Sequence, residues 1–378
     1  MKHSLLDPLS LRCGISLPNR VVMAPMTTWS SHPDGRIHED ELDYLRRRSC
    51  GPGMIITAAC YVQPEGHAFD GQWSCHDDSM LPSLRAAADV IRNGGARAVL
   101  QLHHGGRMCP ASLLGHIPLS ASDIPAIRPG ADTPRAMTEK EIHACIEAFA
   151  RATQRAIAAG YDGVEIHGAN TYLLQQFFSP HSNRRSDQWG GSPERRLRFP
   201  LAVTDAVIET AQLAGRPFAV GYRFSPEEIE EPGITLDDTM LLVDALAERP
   251  LDFLHISLRD YRAGSMRDAN DDRRPALRVI EQLRRQPAQH RKPLIGVGGM
   301  YTPRDAQVAL DDGCDAVALG RILLMEPDWV ALVRDGRIDE LRRTLPAEGA
   351  DTLLTIPAPL YRVLLSRPGW LPVRPATD

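Results

Sequence analysis

Residues 138–167 read TEKEIHACIEAFARATQRAIAAGYDGVEIH. Thr138 followed three residues later by Glu141 is the pattern of a reciprocally capped helix start. Apolar side chains then recur at helical spacing as far as Gly160, a residue suited to the left-handed turn that ends a helix. Just beyond it, Val164, Glu165 and Ile166 form a short run with the composition of a strand. A helix, a turn and a buried strand in so short a stretch predict one unit of a chain that alternates between the two.

The unit recurs along the chain. Apolar runs stand at 21–26, 54–61, 98–103, 163–167, 218–223, 253–257, 294–298 and 316–320, eight in all. Most are nearly continuous rather than alternating, as expected of parallel strands covered on both faces. Ser192-Pro193 and Thr302-Pro303 each place a capping residue before a proline at the first helical position. The pattern predicts an α/β fold, a single (β/α)8 TIM barrel over residues 1–378 with a C-terminal tail from about 351. A doubly wound sheet would normally carry a glycine-rich first turn, and no GxGxxG occurs. Two connections are long, 105–137 after the third strand and 168–192 after the fourth. Both fall on the C-terminal face, where barrel enzymes build their sites.

Composition narrows the classes. With 43% hydrophobic residues there is ample material for a core, and a net charge of −5 gives no footprint for nucleic acid or an anionic membrane. No apolar stretch approaches a membrane span and no secretory leader is evident, so a cytoplasmic protein is expected. Seven cysteines without close pairing argue against a disulfide framework, and no metal site has ligands at recognisable spacing. Cys60 and Cys314 read as small core filler.

The chemistry-bearing residues cluster at strand ends. His167, Asn170 and Tyr172 follow the fourth strand: two side chains able to hold a carbonyl or anionic oxygen, and a phenol able to deliver a proton. Gly298 and Gly299 end the seventh strand, and Gly320 and Arg321 the eighth, where barrels commonly bind phosphate through exposed backbone N–H groups and a guanidinium. Gln101 ends the third strand, its amide offering both a donor and an acceptor to a ligand or serving as a buried structural group. Arg223 ends the fifth, either facing an anion or paired with Glu227 or Glu228.

Residues 162–196, DGVEIHGANTYLLQQFFSPHSNRRSDQWGGSPERR, closely resemble the signature of the Old Yellow Enzyme family, the FMN-dependent ene-reductases. Ser179, Pro180, Asn183, Arg185, Asp187, Gly190, Gly191, Ser192 and Glu194 all stand in its register, and Gln101-Leu102-His103-His104-Gly105-Gly106-Arg107 is similar to the family's QLxHxGR. The resemblance implies noncovalent FMN, NADH or NADPH as co-substrate, and small-molecule activated alkenes such as enones as acceptors. It places Pro25, Thr27, Ala59 and Gln101 beside the flavin ring, with the Thr27 hydroxyl on O4 and Arg223 near N1 and O2. Gly298, Gly299, Gly320 and Arg321 would hold its phosphate. His167 and Asn170 would hold the substrate oxygen and Tyr172 would protonate. Trp29 stands at a substrate-facing position, as a pocket contact or a packing aromatic. Near the C-terminus Arg367 resembles an arginine finger that enters a neighbouring subunit, which would make the protein a homodimer or larger; Arg362 is a second candidate, because Pro368 interrupts the pattern. Two alternatives stay open: an FMN-binding redox sensor without significant turnover, and a flavin-free barrel lyase or isomerase acting on a phosphorylated substrate.

Overall fold

Eight parallel strands close on themselves in the computed structural model, which describes residues 3–268 and 274–374. They are β1 (Val21–Met23), β2 (Met54–Tyr61), β3 (Arg97–His103), β4 (Gly163–Gly168), β5 (Ala219–Phe224), β6 (Phe253–Ile256), β7 (Leu294–Val297) and β8 (Ala316–Leu319). Each pairs with the next, and β8 returns to β1 through Val317 opposite Val21. All eight predicted runs became barrel strands, with ends shifted by three residues at most. Between them lie α1 (Glu39–Arg48), α2 (Leu81–Asn93), α3 (Glu139–Ala158), α4 (Pro193–Gln212), α5 (Leu236–Ala247), α6 (Pro275–Arg285) and α7 (Pro303–Asp312), and α8 (Trp329–Arg334) follows β8. The fold is the (β/α)8 barrel.

The helix starts are built as the sequence suggests. At α3, Thr138 Oγ1 accepts from Glu141 N at 3.3 Å while Glu141 Oε2 accepts from Thr138 N at 2.8 Å. Ser192 and Thr302 cap α4 and α7, each before a proline.

The barrel's lower rim is fixed by a repeated device. Asp162, Asp252 and Asp315 precede the even strands β4, β6 and β8. Each carboxylate accepts an N–H from the first or second residue of the preceding strand: Ala98 at 2.9 Å, Val220 at 2.9 Å and Leu294 at 3.0 Å. Each aspartate's own N–H donates to the carbonyl of the same residue. The register between neighbouring strands is thereby set at its first rung, which fixes which side chains meet at the top.

Apolar side chains pack in two places. Val22, Met54, Ile56, Val99, Phe253, Ile295 and Val297 fill the barrel, floored by Leu9, Leu11, Ile15 and Leu17 of a short N-terminal hairpin. A larger layer, including Ile55, Leu100, Phe149, Val203 and Trp329, lies between strands and helices. Cys60 and Cys314 are buried free thiols, consistent with filler.

After α8 the chain runs through α9 (Ala350–Leu354) and α10 (Ala358–Leu365) and back across the barrel's top. Buried Arg48 of α1 anchors it, donating to the carbonyls of Leu354 at 2.8 Å and Thr355 at 3.3 Å as well as to Leu323 and Tyr44. No carboxylate partners this guanidinium among the described residues; carbonyl dipoles and the Tyr44 ring surround it, and burial lowers its pKa to about 10. Among the described residues no helix is long and apolar enough to cross a membrane, and no cluster of side chains is arranged to hold a metal.

Candidate active site

Strand register brings the top of the barrel together. His167 of β4 lies opposite Arg223 of β5, and Arg223 opposite His255 of β6. One layer below, Gln101 of β3 lies opposite Glu165, and Gln101 beside Ala59 of β2. Glu165 accepts from Gln101 Nε2 at 2.7 Å and sits 2.7 Å from His255 Nδ1, all three fully or nearly fully buried. Burial lowers the pKa of His255 despite the carboxylate beside it.

Arg223 pairs with neither Glu227 nor Glu228. Its Nη2 donates to Ser257 Oγ at 3.2 Å, and Ser257 Oγ donates in turn to Asn170 Oδ1 at 2.8 Å. Because the hydroxyl accepts on one side and donates on the other, the Asn170 amide has a defined orientation, with Nδ2 free as a donor among the described residues. Asn170 and Thr171 both adopt left-handed backbone, φ 57° and 63°, which non-glycine residues rarely do. Four hydrogen bonds hold them there: Asn170 N to Ser225 Oγ, the Ser257 bond, Thr171 N to Gln175 Oε1, and Gln176 Nε2 to Thr171 O. Strain retained this way is characteristic of sites that must present a side chain in one direction.

His167 is buried, and its Nδ1 accepts from Ala169 N at 3.2 Å, so the neutral ring carries its proton on Nε2. Burial, then the neighbouring His103, Arg223 and His255, push its pKa well below the usual histidine value. Tyr172 packs perpendicular to His167 with ring centroids 5.0 Å apart and to His103 at 4.2 Å. Its hydroxyl meets no hydrogen-bonding partner among the described residues, and burial raises its pKa. His103 is itself oriented: Gln72 Oε1 accepts from Ala68 N, so Gln72 Nε2 is the donor to His103 Nδ1 at 2.9 Å.

A cavity of about 750 Å³ opens at this face, reached by Met26, Asn170, Arg223, Gly298, Gly299, Gly320 and Arg321. Pro25 and Thr27 flank Met26 and are half-buried. Thr27, Ala59, Gln101, His167 and Tyr172 belong to the same strand ends but do not line the cavity. Gly298 and Gly299 both have positive φ, 124° and 61°. A Cβ on Gly299 would approach nothing closer than Asp260 at 3.5 Å, so the constraint there is backbone conformation, with the open side toward the cavity. Arg321 donates to the Arg259 carbonyl at 3.0 Å and stacks 5.4 Å over Tyr301. Trp29, also left-handed at φ 52°, lies between Phe69 and Arg367 of the same chain, the latter 5.3 Å from its ring centroid. Trp370 of the tail reaches the cavity wall.

The second half of the signature proves to be scaffolding. Arg185 donates to Asp187 and to the carbonyls of Ala121 and Met137, tying the long loop after β4 to the long loop after β3. Asn183 donates to Phe177 and Trp189 carbonyls, and Arg196 to Phe178 and Gly191. Gln176 joins the same loops, accepting from Arg107 N and Ser120 Oγ, and Gly106 takes a left-handed φ of 59° where a Cβ would lie 2.0 Å from the Gln176 Oε1.

The residues fit a flavin phosphate ester. Among the described residues Arg223 Nε is buried without a partner, and Arg223 lines a cavity that also offers glycine backbone and the Arg321 guanidinium. Fold and site together define a barrel flavoprotein of the oxidoreductase class. The chain belongs to the NADH:flavin oxidoreductase / NADH oxidase family, matched over residues 4–340, within which it is an Old Yellow Enzyme-type protein. It is 42% identical over 372 residues to the probable NADH-dependent flavin oxidoreductase YqiG of Bacillus subtilis, covering 98% of each chain. To the NADH:acrylate oxidoreductase of Vibrio harveyi it is 43% identical over 95% of its own length, but it spans only 36% of that longer protein. Morphinone reductase shares the fold with a TM-score of 0.77 and 31% identity, over 89% of this chain and 90% of that one. The protein is thus an NAD(P)H-dependent flavin oxidoreductase with FMN as its flavin, and the flavin-free alternative falls away.

Proposed function

We propose that the protein reduces activated C=C bonds, with enones as acceptors. Pro25, Thr27, Ala59, Gln101 and Arg223 would hold the ring of FMN and Gly298, Gly299, Gly320 and Arg321 its phosphate, and the flavin when bound would supply the hydride, drawn from NADH or NADPH. His167 Nε2–H and Asn170 Nδ2 hold the substrate oxygen. Two donors on that oxygen draw electron density toward it and leave the β-carbon electron-poor. Tyr172, protonated at neutral pH, gives its proton to the α-carbon.

The observation that carries this reading is the Arg223–Ser257–Asn170 chain, which orients an amide donor in a loop of left-handed backbone. The test is anaerobic: NADH should bleach the flavin, and cyclohexenone should restore its colour with formation of cyclohexanone. Bleaching that no alkene reverses would favour the redox-sensor alternative. Arg367, stacked on Trp29 of its own chain, is assigned a substrate contact. Arg367→Ala should then raise KM for alkene with FMN content unchanged, and light scattering would show whether that contact accompanies a homodimer.

A further inference from the structure

A second cavity, about 320 Å³, opens on the face of the barrel opposite the active site. It lies below β7 and β8, beside the last turn of α6 and the connection into β7, and three cations line it: Arg284, Arg291 and Lys292. Asp315 is the one carboxylate among its lining residues, and Asp315 Oδ2 already accepts from Leu294 N at 3.0 Å.

Lys292 sets the electrostatics of this cavity. It is 6% exposed, yet among the described residues its ammonium has neither a hydrogen bond nor an ion pair. Burial and then Arg12 lower its pKa, and Asp252 opposes them only in part. Asp252 makes no contact with it; the Asp252 oxygens accept from Cys13 N at 2.7 Å and Val220 N at 2.9 Å. A charge held inside a protein without a partner is costly, and buried charges are ordinarily paired or ligated. The cavity beside Lys292 leaves room for a counter-charge from outside the chain.

The two arginines are held in place without being neutralised. Arg284 Nη2 donates to the Asp312 carbonyl at 3.0 Å, and a Cβ on Gly313 would lie 2.1 Å from that nitrogen, so the glycine makes room for the guanidinium. Arg291 donates from Nε to the Gln286 carbonyl at 3.2 Å and from Nη2 to the Arg284 carbonyl at 3.0 Å. Neither forms an ion pair among the described residues, and each keeps N–H donors uncommitted there.

We propose that this cavity binds a compact polyanion, one bearing clustered phosphoryl or carboxylate oxygens, seated on Lys292 and held by Arg284 and Arg291. Guanidiniums match such oxygens in pairs, and the ligand supplies the counter-charge that Lys292 lacks. Lys292 stands just before β7, so the ligand would clamp α6 to the lower end of that strand, remote from the reacting groups.

The test uses the holoenzyme, its FMN in place so that the upper phosphate site is filled. It is titrated calorimetrically with pyrophosphate and, separately, with citrate, against sodium chloride at matched ionic strength. At least one of the two should bind saturably, one per chain, and raise the melting temperature by mass action. Which of them binds separates phosphoryl from carboxylate recognition. Lys292→Met removes a charge that has no partner, so it should fold, and it should weaken binding by about tenfold or more, as expected for a lost charged hydrogen bond. Arg284→Gln and Arg291→Gln change exposed side chains and should each weaken it by roughly threefold to tenfold. All three variants should keep their FMN content and their flavin reduction by NADH. Heats equal to those of sodium chloride for both anions, affinities unchanged in all three variants, or displacement of the anion by excess FMN would overturn the site. If Lys292→Met fails to fold, the two arginine variants decide the outcome.

Discussion

Tyr172→Phe separates proton delivery from every other role the residue has. The phenol hydroxyl has no partner among the described residues, while the ring itself packs against His103 at 4.2 Å and His167 at 5.0 Å. Phenylalanine keeps those contacts, so folding, flavin content and flavin reduction by NADH should stay within about twofold of wild type. Alkene reduction should slow by about 10²–10⁴-fold, roughly 3–5 kcal/mol in the barrier, the usual effect of losing a general acid. The pH dependence has a definite sign. A general acid works below its pKa and fails above it; burial and then Cys109 raise the Tyr172 pKa, against smaller opposing effects of Arg128 and Arg223. Wild-type alkene reduction should therefore show no basic decline attributable to this group below about pH 10, the ordinary phenol value. Stopped-flow measurement of the two half-reactions is the assay. Equal slowing of both would mean that Tyr172 positions ligands, and an unchanged oxidative half-reaction would remove it from the chemistry.

Ser257→Ala cuts the link between Arg223 and Asn170, freeing the amide to rotate; kcat/KM for enones should fall about tenfold. Little further loss should follow when Asn170→Ala is already present, and additive losses would show that the link does not orient the amide. Arg48→Leu leaves the carbonyls of Leu323, Leu354 and Thr355 without their donor, and should cost about 3 kcal/mol by urea denaturation, with the tail after residue 349 becoming sensitive to protease first. Burial lowers the pKa of both His103 and His104 to about 3, against about 6.5 in an unfolded chain. Between those limits the unfolded state binds more protons, so stability is complete above about pH 6.5 and falls as the solution is acidified, by up to about 2.7 kcal/mol per pH unit for the pair. Denaturation midpoints that do not change between pH 7 and pH 5 would contradict it.

The barrel was legible because each of its units carries its own punctuation. The Thr138–Glu141 box, Gly160 and the apolar run after it are local signals, and local signals survive without knowledge of the partner. The pinning aspartates were equally visible as letters, at 162, 252 and 315, yet their role was not. Each bonds a strand about 20 to 65 residues earlier in the chain, at Ala98, Val220 or Leu294, and only barrel closure makes those residues neighbours.

The site divides along the same line. His167, Asn170 and Tyr172 lie within six positions, so sequence alone could group them. Ser257, 87 residues from Asn170, could not be grouped with it, although it is the hydroxyl that decides which way the Asn170 amide points. Glu165 and His255 did leave a trace, as polar letters inside the runs VEIH and FLHIS. A carboxylate within a strand covered on both faces must find donors, and here it finds Gln101 and His255. That accounting also constrains Gln101. One Nε2 proton is committed to Glu165, and Oε1 is the atom we propose to meet a flavin edge, as an acceptor. Gln101→Glu would set a second carboxylate against Glu165 while conserving shape. FMN binding should weaken more in that variant than in Gln101→Leu, since buried like charges cost more than a lost amide contact. The reverse order, measured by flavin titration of the apoprotein, would mean that Gln101 acts on the flavin through an Nε2 proton.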